Sequence, residues 1–287
     1  MNALPHWIRA ARPRTLIASL SPILIGSALA SKAGSASFWL FLLILVTGVG
    51  IQISTNFAND LFDFLKGADT HERKGPIRVT QSGLLSIVQM KRATISIMGF
   101  TALSGSILVI HGGFSIALLL CLALVLALSY TAGPFPLAYL GIAEIFILIF
   151  FGPVACASSY YLQTLSWELT PFLAGLSPGL LSCSLLVINN LRDIAEDKKA
   201  SKKTLVARFG VTFGKWEYTL AVLLAIATPL FLFDKMVYLI ALCALPAALL
   251  IHSVWKTSDA LAYNPLLGKT GKLLTLFTFI FCFSILI

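Results

Sequence analysis

The acidic residues of this 287-residue chain are few, and most of them fall in two short stretches. The first stretch begins with NDLFD at 59–63, and the second reads NNLRDIAED at 189–197. Seven of the twelve acidic residues belong to these stretches: Asp60, Asp63, Asp69, Glu72, Asp193, Glu196 and Asp197. Each stretch follows a long apolar segment, where a carboxylate is costly unless a cation or a hydrogen-bond donor lies beside it. The grouping therefore indicates a site that uses negative charge.

Helical spacing brings the polar residues of each stretch onto one face. In the first stretch the intervals are i, i+3, i+4 and i+7, for Asn56, Asn59, Asp60 and Asp63. In the second they are i, i+4 and i+8, for Asn189, Asp193 and Asp197, with Asn190 beside them. Because Asp60 and Asn56 align with Asp193 and Asn189, we interpret the chain as one domain over 1–287. Within it, two four-helix units, about 15–131 and 142–252, would be distant repeats followed by a ninth helix.

Carboxylate and amide oxygens are the ligands that hard divalent cations prefer. Mg²⁺ is favoured where phosphate oxygens and water complete its coordination. We predict a Mg²⁺ site with these ligands: Asp60, Asp63, Asp193, Asp197 and Asn59. The loops that follow supply cations for phosphate oxygens: Lys66, Arg73, Lys74, Arg78, Arg192, Lys198, Lys199, Lys202, Lys203 and Arg208. Metal-binding acids beside such bases predict a diphosphate site, although for most of the lysines a solvated charge that fixes topology is an equal alternative.

The rest of the chain must hold these residues in a membrane. It is 58% hydrophobic and 11% charged, with a mean hydropathy of +0.90, which excludes a soluble globular domain. We predict an all-α, polytopic membrane protein whose diphosphate substrate carries a lipid tail. Nine spans are expected near 15–30, 38–58, 93–110, 114–131, 142–162, 172–190, 216–233, 236–252 and 273–287.

Orientation follows from the basic residues. With a cytoplasmic N-terminus, 19 of the 21 Lys and Arg residues lie on the cytoplasmic side, and only Lys32 and Lys235 lie outside. Both acidic stretches are then cytoplasmic, and the C-terminus is outside. The net charge of +9 is mostly a topology signal, with attraction to anionic membrane lipid as a secondary interpretation. No nucleic-acid partner is expected.

The motifs Asn59-Asp60-Leu61-Phe62-Asp63 and Asp193-Ile194-Ala195-Glu196-Asp197 resemble those of the UbiA superfamily of intramembrane prenyltransferases. Five further stretches are similar to its branch that prenylates 1,4-dihydroxy-2-naphthoate in menaquinone biosynthesis. They are RPRTLIASLSPILIGSALA at 12–30, KGAD and GPIRVTQSG within 66–83, YTAGPFPLAYLGIAE at 130–144, NNLRDIAEDKKASKKTLVARFG at 189–210 and NPLLGKT at 264–270. The resemblance covers essentially the whole chain.

Two positions depart from the broad superfamily pattern. Gly67 stands where a third aspartate is often found, with Asp69 two residues later, and Tyr130 is followed at the fourth position by Pro134 rather than Lys. Both departures resemble the naphthoate branch. Whether Asp69 is a metal ligand stays open.

The resemblance implies a helical bundle around a central, lipid-accessible cavity in the bacterial inner membrane, with the active site facing the cytoplasm. It also implies Mg²⁺-dependent transfer of a polyprenyl group from polyprenyl diphosphate to 1,4-dihydroxy-2-naphthoate, with decarboxylation, giving demethylmenaquinol and diphosphate. The four aspartates, with Asn56 or Asn59, would hold Mg²⁺, and Lys203, Arg208 and Arg73 would neutralise the leaving group. Tyr130 and Tyr139 would face the allylic cation or position the acceptor. Glu144 is a lone acid just inside the fifth predicted span, and it either contacts the acceptor or pairs with an arginine near the membrane interface. Lys66, Arg78 and Asn190 complete the expected binding set.

Three alternatives remain at this point. A sister enzyme would prenylate homogentisate or 4-hydroxybenzoate with the same aspartates. A cation-coupled transporter would share the spans and acids, but its acids would not be confined to one membrane edge. A phospholipid-forming phosphatidyltransferase would carry a tighter Asp-Gly-x-x-Ala-Arg run, which this sequence lacks.

Overall fold

The computed structural model describes residues 4–68, 74–232 and 235–287 of the chain, and every regular element in these ranges is helical. The α-helices are α1 (Leu4–Ala11), α2 (Leu16–Lys32), α3 (Phe38–Leu65), α4 (Ile87–Ser129), α5 (Leu137–Leu140), α6 (Ala143–Phe150), α7 (Pro153–Thr164), α8 (Leu169–Lys199), α9 (Leu205–Phe209), α10 (Val211–Leu232), α11 (Ala244–Lys256) and α12 (Tyr263–Leu286). Short 3₁₀ helices, η1 and η2, cover Pro13–Thr15 and Lys235–Cys243. The all-α prediction is confirmed for these ranges.

Seven helical stretches in the described residues are long and apolar enough to cross a membrane. They are Leu4–Lys32, Phe38–Leu65, Ile87–Ser129, Ala143–Thr164, Leu169–Lys199, Tyr238–Lys256 and Tyr263–Leu286. The prediction of several helices that are long and apolar enough to span a membrane is therefore confirmed for the described residues.

Helix α4 is 43 residues long but does not run straight. At Gly113 the backbone takes φ 73° and ψ −159°, a conformation that is essentially restricted to glycine. A Cβ added at Gly105 would meet the Leu120 side chain, whereas fifteen residues of straight helix would separate the two positions by about 22 Å. The chain therefore turns back at Gly113, between the predicted spans 93–110 and 114–131.

Helix α8 is the central element of the bundle, because it packs against α2, α6, α7, α10 and α12. Small residues allow the closest of these approaches. A Cβ at Gly175 would overlap the backbone of Gly152 and Pro153, where α7 begins, so glycine is required there. The largest apolar cluster in the described part joins α8 to α2, α10 and α12 and fixes its position.

Both acidic motifs lie near the ends of long, unbroken helices, as their spacing predicts. Asp60 and Asp63 occupy the last turns of α3, and Asp193 and Asp197 those of α8. Helix α3 ends at a glycine cap, since Gly67 has φ 68° and the amide of Ala68 donates back to the Asp63 carbonyl at 2.9 Å.

Candidate active site

Asp60 fastens the loop after α3 onto that helix. The residue is 2% exposed, and its carboxylate accepts hydrogen bonds from the backbone amides of Val79, at 3.2 Å, and Thr80, at 2.9 Å. Val79 is fully buried in an apolar cluster that includes Leu61 and Met90. The acid and the apolar packing together determine where residues 78–80 lie.

Asp63 is surrounded by groups that stabilise its negative charge. Its oxygens lie 3.2 Å from Arg78 Nη2 and 3.4 Å from Lys202 Nζ, and the Tyr139 hydroxyl donates to it at 3.1 Å. The Tyr139 ring lies under two ammonium groups, at 5.0 Å from Lys66 Nζ and 4.8 Å from Lys202 Nζ. Such cation–π contacts stabilise the lysines in their charged form.

Lys66 extends this group toward the loop after α4. Its ammonium donates to the Gly133 carbonyl at 3.2 Å. Partial desolvation lowers the pKa of Lys66 below its ordinary value, Asp63 opposes this, and the nearby charge of Lys202 adds to the lowering. Lys66 therefore touches the partners of Asp63 without reaching the cavity wall.

The α8 acids have a different set of partners. Asp193 receives two short hydrogen bonds from its neighbour, from Arg192 Nε at 2.6 Å and Arg192 Nη2 at 2.7 Å. Arg192 is 3% exposed and also donates to Asn264 Oδ1 at 3.1 Å. Asn264 in turn holds the Lys74 carbonyl at 3.0 Å, so the loop after α3 is attached to α12 as well. Asp197 is 7% exposed.

The amide side chains of the motifs are also engaged. Asn59 accepts from the Thr131 hydroxyl at 2.9 Å, and Asn190 donates to Glu144 Oε1 at 3.1 Å. Asn56 donates to the Ala11 carbonyl at 2.8 Å and so ties α3 to the N-terminal helix.

These side chains surround one polar cavity of about 610 Å³. All four motif aspartates reach its wall, together with Asn59, Asn189, Asn190, Tyr130 and Glu144. Six basic residues line the same cavity: Arg9, Arg12, Arg14, Arg78, Arg192 and Lys202. Acids suited to a cation and bases suited to an anion thus face one space, as a metal-bound diphosphate requires.

A second, apolar cavity of about 310 Å³ adjoins the first. Its wall is formed by α2, α3, α4, α6, α7 and α8, and includes Ile44, Leu108, Ile116, Phe150 and Leu162. Six residues line both cavities: Arg12, Thr15, Asn59, Tyr130, Leu186 and Asn189. The polar and apolar cavities therefore meet at a common boundary.

Arg12 lies at this boundary in an unusual backbone conformation. Its φ of 50° and ψ of 68° are in the left-handed region, which a residue with a Cβ rarely occupies. Strain of this kind persists where the surrounding structure imposes it, and it is concentrated at functional sites.

The donor set fits a magnesium ion that is shared with a substrate. Among the described residues, no three His, Cys, Asp or Glu side chains gather closely enough to bind a metal by themselves. Mg²⁺ commonly takes only one or two protein carboxylates and completes its shell with substrate phosphates and water. Four carboxylates on the wall of one cavity meet that requirement.

The structure brings most of the predicted site residues together. The exceptions are Lys203 and Arg208, which are exposed and do not reach either cavity, and Arg73 and Asp69, which lie outside the described residues. Lys202, not Lys203, lines the polar cavity, with its ammonium 3.4 Å from Asp63. The backbone amide of Lys203 donates to the Tyr139 carbonyl at 3.0 Å. Tyr139 contacts Asp63 behind the wall, and Asn56 lies on the apolar cavity only.

Sequence reasoning did not single out several lining residues. The sequence indicates Arg9, Arg12 and Arg14 only as topology signals, although Arg12 and Arg14 lie in RPRT at 12–15, within a stretch that resembles the naphthoate branch. Arg192 and Lys202 were two of many loop cations, and Asn264 was noted only within NPLLGKT. The resemblance gives a usable signal for five of these residues, Arg12, Arg14, Arg192, Lys202 and Asn264, whereas Arg9 lies outside the matching stretches.

Comparison with known proteins agrees with this geometry. The sequence model of the UbiA prenyltransferase family matches residues 19–285. Two relatives are named 1,4-dihydroxy-2-naphthoate octaprenyltransferase. The one from Haemophilus influenzae is 37% identical over 274 residues, covering 93% of this chain and 84% of the relative. The one from Escherichia coli (strain K12) is 35% identical over 287 residues, covering 96% and 93%.

A solved structure shares the fold. That of a UbiA homolog from Archaeoglobus fulgidus bound to DMAPP and Mg²⁺ has a TM-score of 0.67 and 14% sequence identity, and the match covers 98% of both chains. The predicted UbiA-like helical bundle is thereby confirmed.

Proposed function

This chain belongs to the UbiA prenyltransferase family, and we propose that it transfers a polyprenyl group from polyprenyl diphosphate to the ring of 1,4-dihydroxy-2-naphthoate. The ring carboxylate leaves as CO₂, and the products are demethylmenaquinol and diphosphate. The observation that carries the proposal is the boundary between the polar and apolar cavities, because an allylic diphosphate has a charged head joined to an apolar chain. The names of the two bacterial relatives support this acceptor.

The polar cavity holds the diphosphate. Asp60, Asp63, Asp193 and Asp197, with Asn59, would hold Mg²⁺ there, as magnesium accompanies the prenyl diphosphate in the Archaeoglobus fulgidus protein. The metal would supply positive charge that stabilises the departing diphosphate. The six basic residues of the cavity wall would donate hydrogen bonds to the phosphate oxygens. They are Arg78, Arg192, Lys202 and the three N-terminal arginines.

The apolar cavity holds the prenyl chain and excludes water. Its wall is mostly aliphatic and aromatic, so the cation that forms is shielded from bulk water until the acceptor ring attacks it. Tyr130, on the wall of both cavities, presents its ring where the charged and apolar parts of the substrate join.

Nine membrane passages with a cytoplasmic N-terminus are the proposed topology, in a single domain built from two four-helix repeats and a ninth helix. Seven candidate stretches become nine passages in two steps. The turn at Gly113 divides α4 into two passages, and α10, which is not among the seven, adds another. The positive-inside bias then places the polar cavity on the cytoplasmic side of a bacterial inner membrane.

Topology can be tested with single cysteines in a cysteine-free background. An impermeant maleimide should label Ser35→Cys, after α2, in intact cells, but label Ser258→Cys, after α11, only after lysis. The opposite pattern would reverse the proposed orientation.

The function is tested with purified protein, Mg²⁺, a polyprenyl diphosphate and each candidate acceptor, with products identified by mass. A prenylated naphthohydroquinone that lacks the carboxylate is expected from dihydroxynaphthoate. Turnover of homogentisate or 4-hydroxybenzoate, with none of dihydroxynaphthoate, would assign the chain to a sister activity. Cation flux in proteoliposomes without diphosphate release would indicate a transporter instead.

A further inference from the structure

One carboxylate in the polar cavity belongs to neither acidic motif. Glu144 lies in the first turn of α6, is 8% exposed and reaches the cavity wall. Its Oε1 accepts a hydrogen bond from Asn190 Nδ2 at 3.1 Å, while its Oε2 is buried and accepts none from the described residues. Leaving a buried acceptor without a hydrogen-bond donor is destabilising. The geometry therefore indicates that Oε2 is reserved for a donor that enters the cavity.

The surroundings of Glu144 limit what that donor is. Asn190 fixes the carboxylate by one oxygen, and the Cys183 thiol donates to the Glu144 carbonyl at 3.3 Å, which holds α6 against α8. The aspartates share the cavity with Glu144, so the donor approaches close to the diphosphate. The ionised carboxylate only accepts hydrogen bonds, so it would repel the negatively charged oxygens of the diphosphate but would bind a phenolic hydroxyl.

We propose that Glu144 accepts a proton from the acceptor hydroxyl next to the ring carboxylate and later returns it; this rests on the proposed function. The allylic C–O bond breaks with its electron pair going to diphosphate, and a new C–C bond forms at the ring carbon that carries the carboxylate. As the ring attacks, the neighbouring hydroxyl becomes a ketone and its proton moves to Glu144 Oε2.

The product of attack is a β-keto carboxylate, which loses CO₂ without any added reagent. The electron pair of the broken C–C bond forms the enolate, and the enolate oxygen takes the proton back from Glu144. The ring regains aromaticity, Glu144 returns to its carboxylate form, and no net proton is consumed. One positioned acid–base group thus serves both the prenylation and the decarboxylation.

The test compares Glu144→Gln with a matched control, Glu217→Gln. Glu217, in α10, also has a buried Oε2 without a partner among the described residues, but it lines neither cavity. General acid–base groups contribute about 10²- to 10⁴-fold, so kcat of Glu144→Gln should fall by that factor. Its Mg²⁺-dependent protection by prenyl diphosphate against thermal unfolding should match wild type, and Glu217→Gln should remain within about threefold of wild-type kcat.

Failure of this inference can be separated from failure of the proposed function. If wild type makes no prenylated naphthohydroquinone, the proposed function is wrong. If wild type makes it and Glu144→Gln keeps wild-type kcat, or loses only affinity for the acceptor, the proton-transfer role is wrong.

A substrate analogue provides a second arm that needs no folded variant. In an acceptor whose hydroxyl next to the carboxylate is methylated, there is no proton for Glu144 to take. Wild type should then turn over the methyl ether about 10²- to 10⁴-fold more slowly than the parent compound. Turnover of the methyl ether by wild type at the rate of the parent compound would overturn the inference, even if Glu144→Gln does not fold.

Discussion

The carboxylates at the end of α3 and those near the end of α8 occupy matching helical positions but have different partners. Asp60 accepts from two backbone amides of the following loop, and Asp63 is surrounded by Arg78, Lys202 and Tyr139. On α8, Asp193 is held by the neighbouring Arg192 alone among the contacts described here. The first pair therefore holds the loop after α3 directly, through its own carboxylates. Asp193 reaches that loop only through Arg192 and Asn264, while the neighbouring Glu196 accepts the Lys74 amide at 2.8 Å.

The two motifs share their spacing, which would suggest equal roles in binding metal and holding the loop, but their partners differ. Removing an α3 acid should damage both the metal site and the loop that closes it. Removing an α8 acid should weaken metal and diphosphate binding while the loop stays in place.

The largest effect is expected for Asp60→Asn. The substitution removes a charge from the metal site and leaves one of the two loop amides without an acceptor, so product formation should fall about 10³-fold. Trypsin should cleave faster after Lys74 and Arg78 in the same variant, because the loop is released. Wild-type cleavage rates would contradict the anchoring role of Asp60.

Asp193→Asn should reduce product formation by about 10²-fold, since one charged ligand of the diphosphate-bound metal is lost. The loop at 74–84 should keep its wild-type resistance to trypsin. Cleavage as fast as in Asp60→Asn would mean that the two motifs do not differ in the way described.

A smaller effect should distinguish two adjacent lysines. Lys202→Met removes the ammonium 3.4 Å from Asp63, and a hydrogen bond between charged groups is worth about 1.5–3 kcal/mol, or roughly 10- to 100-fold in kcat/KM. Lys203→Met, whose side chain is exposed away from both cavities, should stay within about twofold. Equal losses in the two variants would support the sequence-based prediction that Lys203 neutralises the leaving group.

The smallest effect is expected for Tyr139→Phe, which deletes one of the three contacts to Asp63 and keeps the ring that Lys66 and Lys202 contact. The loss in kcat/KM should be about 3- to 10-fold, the value of a single neutral donor. A loss as large as that of Asp60→Asn would assign Tyr139 a direct part in the reaction.

Helical register made much of the site predictable from sequence. If the stretches before 63 and 197 are helices, the spacing places the polar residues of each on one face. In the structure the four aspartates and Asn59 lie on the wall of one cavity. Resemblance to the superfamily supplied the chemistry that register alone could not.

Loop residues were less predictable because their direction depends on single backbone angles. Ser201 has φ 56°, and after this turn Lys202 faces Asp63 while Lys203 faces away. The left-handed conformation of Arg12 similarly has no local sequence signal. The bonds from the Val79 and Thr80 amides to Asp60 involve only main-chain donors, which any residue would offer.

The central claim is that metal, diphosphate and acceptor meet in the polar cavity. The most direct test follows prenylated product from dihydroxynaphthoate in purified wild-type enzyme after chelation of divalent metal, and again after Mg²⁺ is restored. The account predicts no product after chelation and full recovery of the wild-type rate with Mg²⁺. Continued turnover in chelator, or product formation that Mg²⁺ does not restore while the protein stays folded, would contradict it.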